Sequence, residues 1–152
     1  MSYFNLRVYG LIVNDKHEVL LSDEYEYGLY FTKFPGGGVE IGEGLIEALK
    51  REFIEECNAP IEVAAHFYTT DFYEKSSFNE SQVISIYYLV RPLEPLSLAF
   101  KTKIFDFDES STQSFRWVGI SRLSEDDVTF KTDKAVVALL KSTFLMKNKG
   151  IL

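Results

Sequence analysis

Three glutamates at positions 52, 55 and 56 are the residues of this sequence best suited to chemistry. They lie in a segment whose apolar residues recur every three or four positions, which predicts an amphipathic helix. At about 100° per residue, the three carboxylates share one face beside the apolar stripe. Carboxylates this close are expected to repel one another. A divalent cation removes the repulsion, because Mg²⁺ binds carboxylate oxygens. The helix is therefore predicted to hold a metal ion.

The elements around these glutamates must position them. The predicted buried stripe of the helix comprises Leu45, Ile46, Leu49, Phe53 and Cys57. Before the helix, Pro35 is followed by three glycines, Gly36 to Gly38, which predict a tight turn. We interpret this turn as functional because it delivers the chain to the acidic helix; a simple mobile turn is the alternative.

The same stretch resembles the Nudix box, G-x5-E-x7-R-E-U-x-E-E-x-G-U, in which U is a bulky aliphatic residue. Gly37 is followed after five residues by Glu43 and after seven more by Arg51-Glu52, and Glu55-Glu56 completes the charged positions. Six fixed residues at fixed spacing are a specific signal. The box covers about a sixth of the chain, so the resemblance bears on the catalytic centre more than on the substrate.

Three positions depart from the pattern. Asn58 stands in place of the glycine, Phe53 is aromatic and Ala59 is small. The glycine of the motif is expected to end the helix in a left-handed conformation, and asparagine is the next-best residue for that conformation. Pro60 follows and cannot continue a helix.

The resemblance implies a role for each box residue. Nudix enzymes hydrolyse a nucleoside diphosphate linked to another group, with Mg²⁺ or Mn²⁺ held by box glutamates. It implies that Glu52, Glu55 and Glu56 bind the metal and that the backbone at Gly37 adds a carbonyl oxygen. It also implies that Arg51 acts in the catalytic centre and pairs with Glu43 to hold the loop against the helix, which orients the ligands. The residues expected to contact the substrate are Gly36, Gly38, Glu40 and Tyr30.

The general base and the nucleobase site each have several candidate residues. The base is a box glutamate, Glu52 or Glu55, or an acid of a later loop, Asp108 or Glu109; an ordinary surface loop is the simpler interpretation of the latter two. Aromatic side chains could stack on a base, although core packing or chance exposure is the simpler interpretation for any one of them. The candidates are Tyr25, Tyr27, Tyr30, Phe72 and Tyr73.

Composition narrows the class of protein. The 152 residues are 46% hydrophobic and are expected to form one domain, 1–152. A net charge of −7 argues against a nucleic-acid polymer as partner but not against a small nucleotide, since a bound metal supplies local positive charge. Cys57, the single cysteine, is expected in the core in a reducing compartment. No signal peptide or membrane-length apolar run is found, so we expect a cytoplasmic protein without a membrane partner.

The coarse element pattern predicts an α/β fold. Tyr3 to Val13 and His17 to Leu21 are expected to form a hairpin of two strands, and 132–146 to form an amphipathic terminal helix. Several strands with an early and a terminal helix predict a mixed sheet covered on both faces. That agrees with the Nudix-type α/β/α sandwich implied by the resemblance.

Two functions are compatible with these features. The first is metal-dependent hydrolysis of a nucleoside diphosphate derivative: ADP-ribose, a nucleotide sugar, a dinucleotide or a nucleoside triphosphate. The second is a non-catalytic, nucleotide-sensing Nudix module. Such modules often lose box acids, and here the acids are intact, which favours catalysis. Homodimers are frequent among similar proteins, and a homodimer is compatible with these features.

Overall fold

The computed structural model describes residues 1–148 and 150. In that part of the chain, eight strands, two α-helices and one short 3-10 helix follow one another. They are β1 (Tyr3–Leu11), β2 (Glu18–Glu26), β3 (Leu29–Lys33), β4 (Gly36–Gly38), α1 (Leu45–Cys57), β5 (Ile61–Thr69), β6 (Ser81–Pro92), β7 (Phe100–Lys101), β8 (Gln113–Gly119), the 3-10 helix (Glu125–Asp127) and α2 (Lys131–Asn148). Neither α-helix, within these described residues, has the length and apolarity that a bilayer span requires.

The chain divides into two compact units. The first comprises Met1–Ile12 and Phe34–Ala99, and the second comprises Val13–Lys33 and the described residues from Phe100 onward. Each unit contains one four-stranded sheet and one α-helix. The segment that resembles the Nudix box, Gly37 to Ala59, lies entirely in the first unit.

The sheet of the first unit has the strand order β4-β1-β6-β5. β1 runs parallel to β6 and antiparallel to β4, while β5 and β6 are antiparallel, so the sheet is mixed. Side chains alternate between the two faces of β1. Gly10 faces α1 so closely that a Cβ there would lie 2.6 Å from the Phe53 ring. Glycine at this position lets the helix approach the sheet.

Helix α1 packs through a narrower stripe than the apolar pattern predicts. Its buried residues are Ala48, Leu49, Phe53 and Cys57, so the core position expected for Cys57 is confirmed. Ile46 is 44% exposed, and its predicted burial is wrong. Ala48, three residues after Leu45, is buried in the stripe, whereas Ile46 is rotated away from it.

The end of α1 follows the sequence prediction. Asn58 adopts a left-handed conformation, φ 48° and ψ 40°, and its N–H donates to the Ile54 carbonyl at 3.0 Å. Ala59 N–H donates to the Phe53 carbonyl at 3.2 Å. Asparagine thus ends the helix in the way expected of the box glycine.

The second unit contains the other mixed sheet, of order β3-β2-β8-β7, and α2. β2 is antiparallel to β3 and β8, and β7 is parallel to β8. Asp23 on β2 is fully buried and accepts hydrogen bonds from Arg116 and from the Thr32 hydroxyl. The predicted α/β fold with mixed strand pairing is confirmed, and the strands are divided between two sheets.

The predicted hairpin of the first two strands is wrong. β1 and β2 belong to different sheets, and the turn between them is closed by a single bridge from Val13 to Val19. The turn itself is well formed, since the Asn14 side chain accepts hydrogen bonds from two following N–H groups. β1 cannot pair with β2 because both of its edges are occupied, by β4 and by β6.

Candidate active site

Arg51 on α1 is the centre of the candidate site. Its Nε donates to Glu43 Oε2 at 2.6 Å and its Nη2 to Glu43 Oε1 at 2.8 Å, a two-pronged ion pair. Nη2 also donates to the Gly38 carbonyl at 2.9 Å. One guanidinium therefore joins the helix to the loop and to the glycine strand β4. The pair between Arg51 and Glu43 that the box implies is present.

The remaining edge of the guanidinium contacts two of the candidate metal ligands. Nη1 donates to Glu52 Oε1 at 3.0 Å and to Glu55 Oε2 at 3.3 Å. The Glu52 side chain is only 13% exposed, whereas that of Glu55 is 59% exposed. Glu52 is consequently a well-positioned carboxylate, and Glu55 is an exposed one at the surface.

Hydrogen bonds keep the ion pair between Arg51 and Glu43, which we call the clamp, in its charged form. The hydrogen bonds from Arg51, with a smaller contribution from the Glu40 N–H, lower the pKa of Glu43 from 4.5 to about 2. The same hydrogen bonds to Glu43, followed by those to Glu52, raise the pKa of Arg51 above its ordinary value. Both groups are therefore ionised at any pH near neutrality.

Gly37 forms a seat for the Glu52 carboxylate. A Cβ at Gly37 would lie 2.6 Å from Glu52 Cδ and from both of its carboxylate oxygens. Only glycine admits a carboxylate at this distance from the backbone of β4. Next to it, Gly36 has φ +148°, and a Cβ there would lie 2.1 Å from the Val8 carbonyl oxygen. The first two glycines are thus needed for two reasons: Gly37 for the glutamate and Gly36 for the backbone.

The donor chemistry of this site fits a divalent cation. Glu52, Glu55 and Glu56 supply oxygen donors from one helix, which is the ligand type that Mg²⁺ and Mn²⁺ prefer. Glu56 is half-buried. No three acidic, histidine or cysteine side chains converge on one point within residues 1–148 and 150. In the observed arrangement, Glu52 and Glu55 each direct an oxygen to Arg51 instead.

The other predicted substrate contacts are distributed over both units. Gly36 is buried and Gly38 half-buried, both in the first unit with Glu40. Glu40 is exposed, and its N–H donates to Glu43 Oε1 at 2.9 Å, so its backbone supports the clamp. Tyr30 lies in the second unit and is 56% exposed.

The structure assembles an aromatic cluster around Tyr30. Its ring centroid lies 4.4 Å from that of Tyr25, 5.1 Å from Phe105 and 6.4 Å from Phe107, whose ring is nearly parallel. Tyr25 and Tyr30 were candidates from sequence, and the two phenylalanines were not. No sequence signal marks Phe105, because its position depends on a left-handed backbone, φ 56°, that is unusual for phenylalanine.

The remaining aromatic candidates differ in their exposure to solvent. Tyr27 is 84% exposed and Tyr73 is 63% exposed, while Phe72 is half-buried. Among the candidate bases of the later loop, Asp108 accepts a hydrogen bond from Lys101 at 2.7 Å, and Glu109 is exposed. Both acids belong to the second unit, whereas Glu52 and Glu55 belong to the first.

Comparison with known proteins identifies the family. The family model described as NUDIX domain matches residues 4–140. The chain therefore belongs to the Nudix family, and it is a Nudix hydrolase. The search of curated protein sequences found no match.

Solved structures share the fold. The MutT protein of Methanosarcina mazei Go1 has a TM-score of 0.66 at 21% identity, covering 97% of both chains. A MutT structure from work on Aliivibrio salmonicida and Vibrio cholerae has a TM-score of 0.64 at 24% identity, covering 92% of this chain and 98% of that chain. An ADP-ribose pyrophosphatase of Streptococcus suis has a TM-score of 0.60 at 17% identity, covering 91% and 90%.

Proposed function

We propose that this Nudix hydrolase cleaves the pyrophosphate linkage of a nucleoside diphosphate derivative with the help of Mg²⁺ or Mn²⁺. The observation that carries the proposal is the Arg51 network, which holds Glu52 against the backbone of the glycine strand. The substrate class is supported by the similarity to MutT proteins and to an ADP-ribose pyrophosphatase. ADP-ribose, nucleotide sugars, dinucleotides and nucleoside triphosphates are the members of this class to be tested.

Glu52, Glu55 and Glu56, with the Gly37 carbonyl, are proposed to hold the cation. When bound, the cation would neutralise charge on the leaving phosphate and lower the pKa of the attacking water. Arg51 fixes the Glu52 carboxylate by one hydrogen bond and the Gly38 carbonyl of β4 by another. The proton of the water is accepted by Glu52 or Glu55. Glu55 has the greater solvent access through which such a proton could leave.

Both units are proposed to belong to one Nudix domain that takes a small nucleotide as substrate. The family match supports this, because residues 4–140 run through both units. Tyr30 and the aromatic rings around it are then candidates for contact with the nucleobase.

A hydrolysis panel of these compounds, with Mg²⁺ and with Mn²⁺, tests the proposal. Wild type is compared with Glu56→Gln and with Glu47→Gln. Glu47 is a matched control on the same helix, since its Oε1 accepts from the Gly44 N–H and glutamine keeps that acceptor. We expect turnover of one substrate class in wild type and Glu47→Gln, and its loss in Glu56→Gln and in EDTA. Nucleotide binding without turnover of any compound would contradict hydrolysis and favour the nucleotide-sensing alternative.

A further inference from the structure

The sheet of the first unit has a second face, opposite α1, that the box does not use. Val8 and Gly10 of β1 face the helix, so Arg7 and Tyr9 face the other way. On β6, Ser85 lies in register with Arg7 and Tyr87 in register with Tyr9. This face therefore combines a guanidinium, a hydroxyl and two tyrosine rings.

The guanidinium of Arg7 has a fixed orientation. Its Nε donates to the Tyr9 hydroxyl at 2.6 Å, and its Cζ lies 5.7 Å from the centroid of the Tyr9 ring. The Tyr9 ring stacks on Tyr87 at 5.1 Å with an interplanar angle of 27°. Tyr87 is fully buried and Tyr9 nearly so, whereas Arg7 is half-buried. A rigid tyrosine pair thus holds a cationic group that solvent can reach.

Arg7 also lies beside the glycine strand of the candidate active site. It is in register with Gly38, and a Cβ at Gly38 would lie 3.7 Å from Arg7 Nη1. The carbonyl of the same Gly38 accepts the hydrogen bond from Arg51. Arg51 therefore contacts the carbonyl of Gly38, and Arg7 faces the side of Gly38 on which a Cβ would lie.

A buried hydroxyl next to Arg7 points to a ligand on this face. Ser85 is 1% exposed, and its Oγ has no hydrogen-bond partner in the described part of the chain. A buried polar group without a partner is costly and uncommon in native proteins. The backbone N–H of Ser85 donates a hydrogen bond to the Thr70 hydroxyl, so the missing partner concerns only the Ser85 side chain.

We propose that Arg7 is a substrate-binding residue that contacts a phosphate group of the substrate, with the Ser85 hydroxyl contributing to the same site. The proposal rests on the proposed function and names the part of the substrate that this face binds. The planar guanidinium matches phosphate oxygens in a two-pronged contact.

Binding of inorganic pyrophosphate in EDTA tests Arg7 directly, because EDTA removes the metal and pyrophosphate has no nucleobase. Isothermal titration calorimetry is run on wild type, Arg7→Gln, Arg7→Lys and the control Arg91→Gln. Arg91 lies on β6 of the same unit and forms an exposed ion pair with Glu62. We expect Arg7→Gln to weaken binding about tenfold or more and Arg7→Lys to weaken it less. Arg91→Gln should bind as wild type does.

Several outcomes would overturn the proposal. These are wild-type protein that does not bind pyrophosphate, equal affinity in Arg7→Gln, or equal weakening in Arg91→Gln. Should Arg7→Gln fail to fold, as judged by circular dichroism, Arg7→Lys and Ser85→Ala carry the same test, and unchanged affinity in both contradicts the proposal.

Kinetics separates this proposal from the proposed hydrolysis. With a substrate from the panel, Arg7→Gln should raise KM by a larger factor than it lowers kcat, because phosphate contact is made in the ground state as well. Glu56→Gln should lose kcat while keeping pyrophosphate affinity in EDTA. Arg7-dependent pyrophosphate binding without any turnover would leave this inference standing and refute the hydrolysis. Turnover with an unchanged KM in Arg7→Gln would do the reverse.

Discussion

Arg51 and Glu43 form a two-pronged ion pair, with Nε to Oε2 at 2.6 Å and Nη2 to Oε1 at 2.8 Å. The two residues are eight positions apart, and Glu43 precedes the helix that carries Arg51. The pair therefore fixes the loop after β4 against α1. Because Arg51 also contacts Glu52, the loop geometry and the position of a candidate metal ligand depend on the same side chain.

Replacing Arg51 should affect both stability and activity. Arg51→Ala removes the hydrogen bonds to Glu43, to Glu52 and to the Gly38 carbonyl, and we expect a loss of about 1–3 kcal/mol in the free energy of unfolding. Urea denaturation measures it. Arg91→Ala is the control, since its exposed pair with Glu62 should contribute only about 0–1 kcal/mol. Similar losses in the two variants would mean that Arg51 does not act as a clamp.

The pH dependence of stability should report the same pair. The folded-state pKa of Glu43 is lowered from 4.5 to about 2. A lowered pKa means that the ionised form stabilises the fold above pH 4.5, and that this stability is lost as the pH falls from 4.5 towards 2. In Glu43→Gln this contribution is absent. Thermal melts from pH 7 to pH 2 should show a stability difference between wild type and variant that is constant above about pH 5 and shrinks below it. A difference that stays constant down to pH 2 would contradict the lowered pKa.

Two neighbouring glycines should respond differently to alanine. In Gly37→Ala the new Cβ meets the far end of the Glu52 side chain, which can move, so we expect a folded protein with turnover reduced by a factor on the order of 10². In Gly36→Ala the Cβ meets the Val8 carbonyl at 2.1 Å and φ is +148°, so we expect lost stability first. Melting temperature and kcat are measured on both variants. Gly119→Ala, with no atom within 4 Å of the new Cβ, is the control. Full activity in Gly37→Ala would argue that Glu52 needs no seat on β4.

The box segment could be predicted from sequence because its structure is local. Its contacts join residues that are close in sequence. Glu43 and Arg51 are eight positions apart, and Asn58 directly follows the helix that it ends. Strand pairing could not be predicted in the same way. β1 pairs with β6, about 80 residues later, and nothing in the local pattern indicates that this partner excludes β2. The predicted hairpin failed for that reason.

Side-chain functions outside the box were harder to anticipate. Arg7 has an ordinary place in the alternating pattern of β1, and its closeness to Gly38 exists only once β1 and β4 are paired. The cluster around Tyr30 depends on the left-handed backbone at Phe105, a conformation that no propensity favours. Both features arise from long-range contacts, which composition and periodicity do not encode.

The helix stop offers a prediction that is independent of catalysis. Asn58 has φ 48° and ψ 40°, a conformation that glycine adopts without strain and alanine does not. Asn58→Gly should therefore be neutral or slightly stabilising, and Asn58→Ala should cost about 1 kcal/mol. Urea denaturation distinguishes them. A glycine variant less stable than the alanine variant would show that the asparagine side chain, rather than its backbone, stabilises the helix end.

Metal binding provides a test that does not need a substrate. The carboxylates of Glu52, Glu55 and Glu56 are proposed to bind Mg²⁺ or Mn²⁺, so a saturating cation should raise the melting temperature of the wild type because it binds the folded state only. EDTA should reverse the rise. In Glu56→Gln the rise should be smaller, and kcat should fall by a factor on the order of 10²–10⁴. The control Glu47→Gln should respond to the cation as wild type does. An equal cation effect in wild type and Glu56→Gln, with turnover preserved, would remove Glu56 from the proposed ligand set. The box helix would then act through Glu52, the carboxylate seated on Gly37.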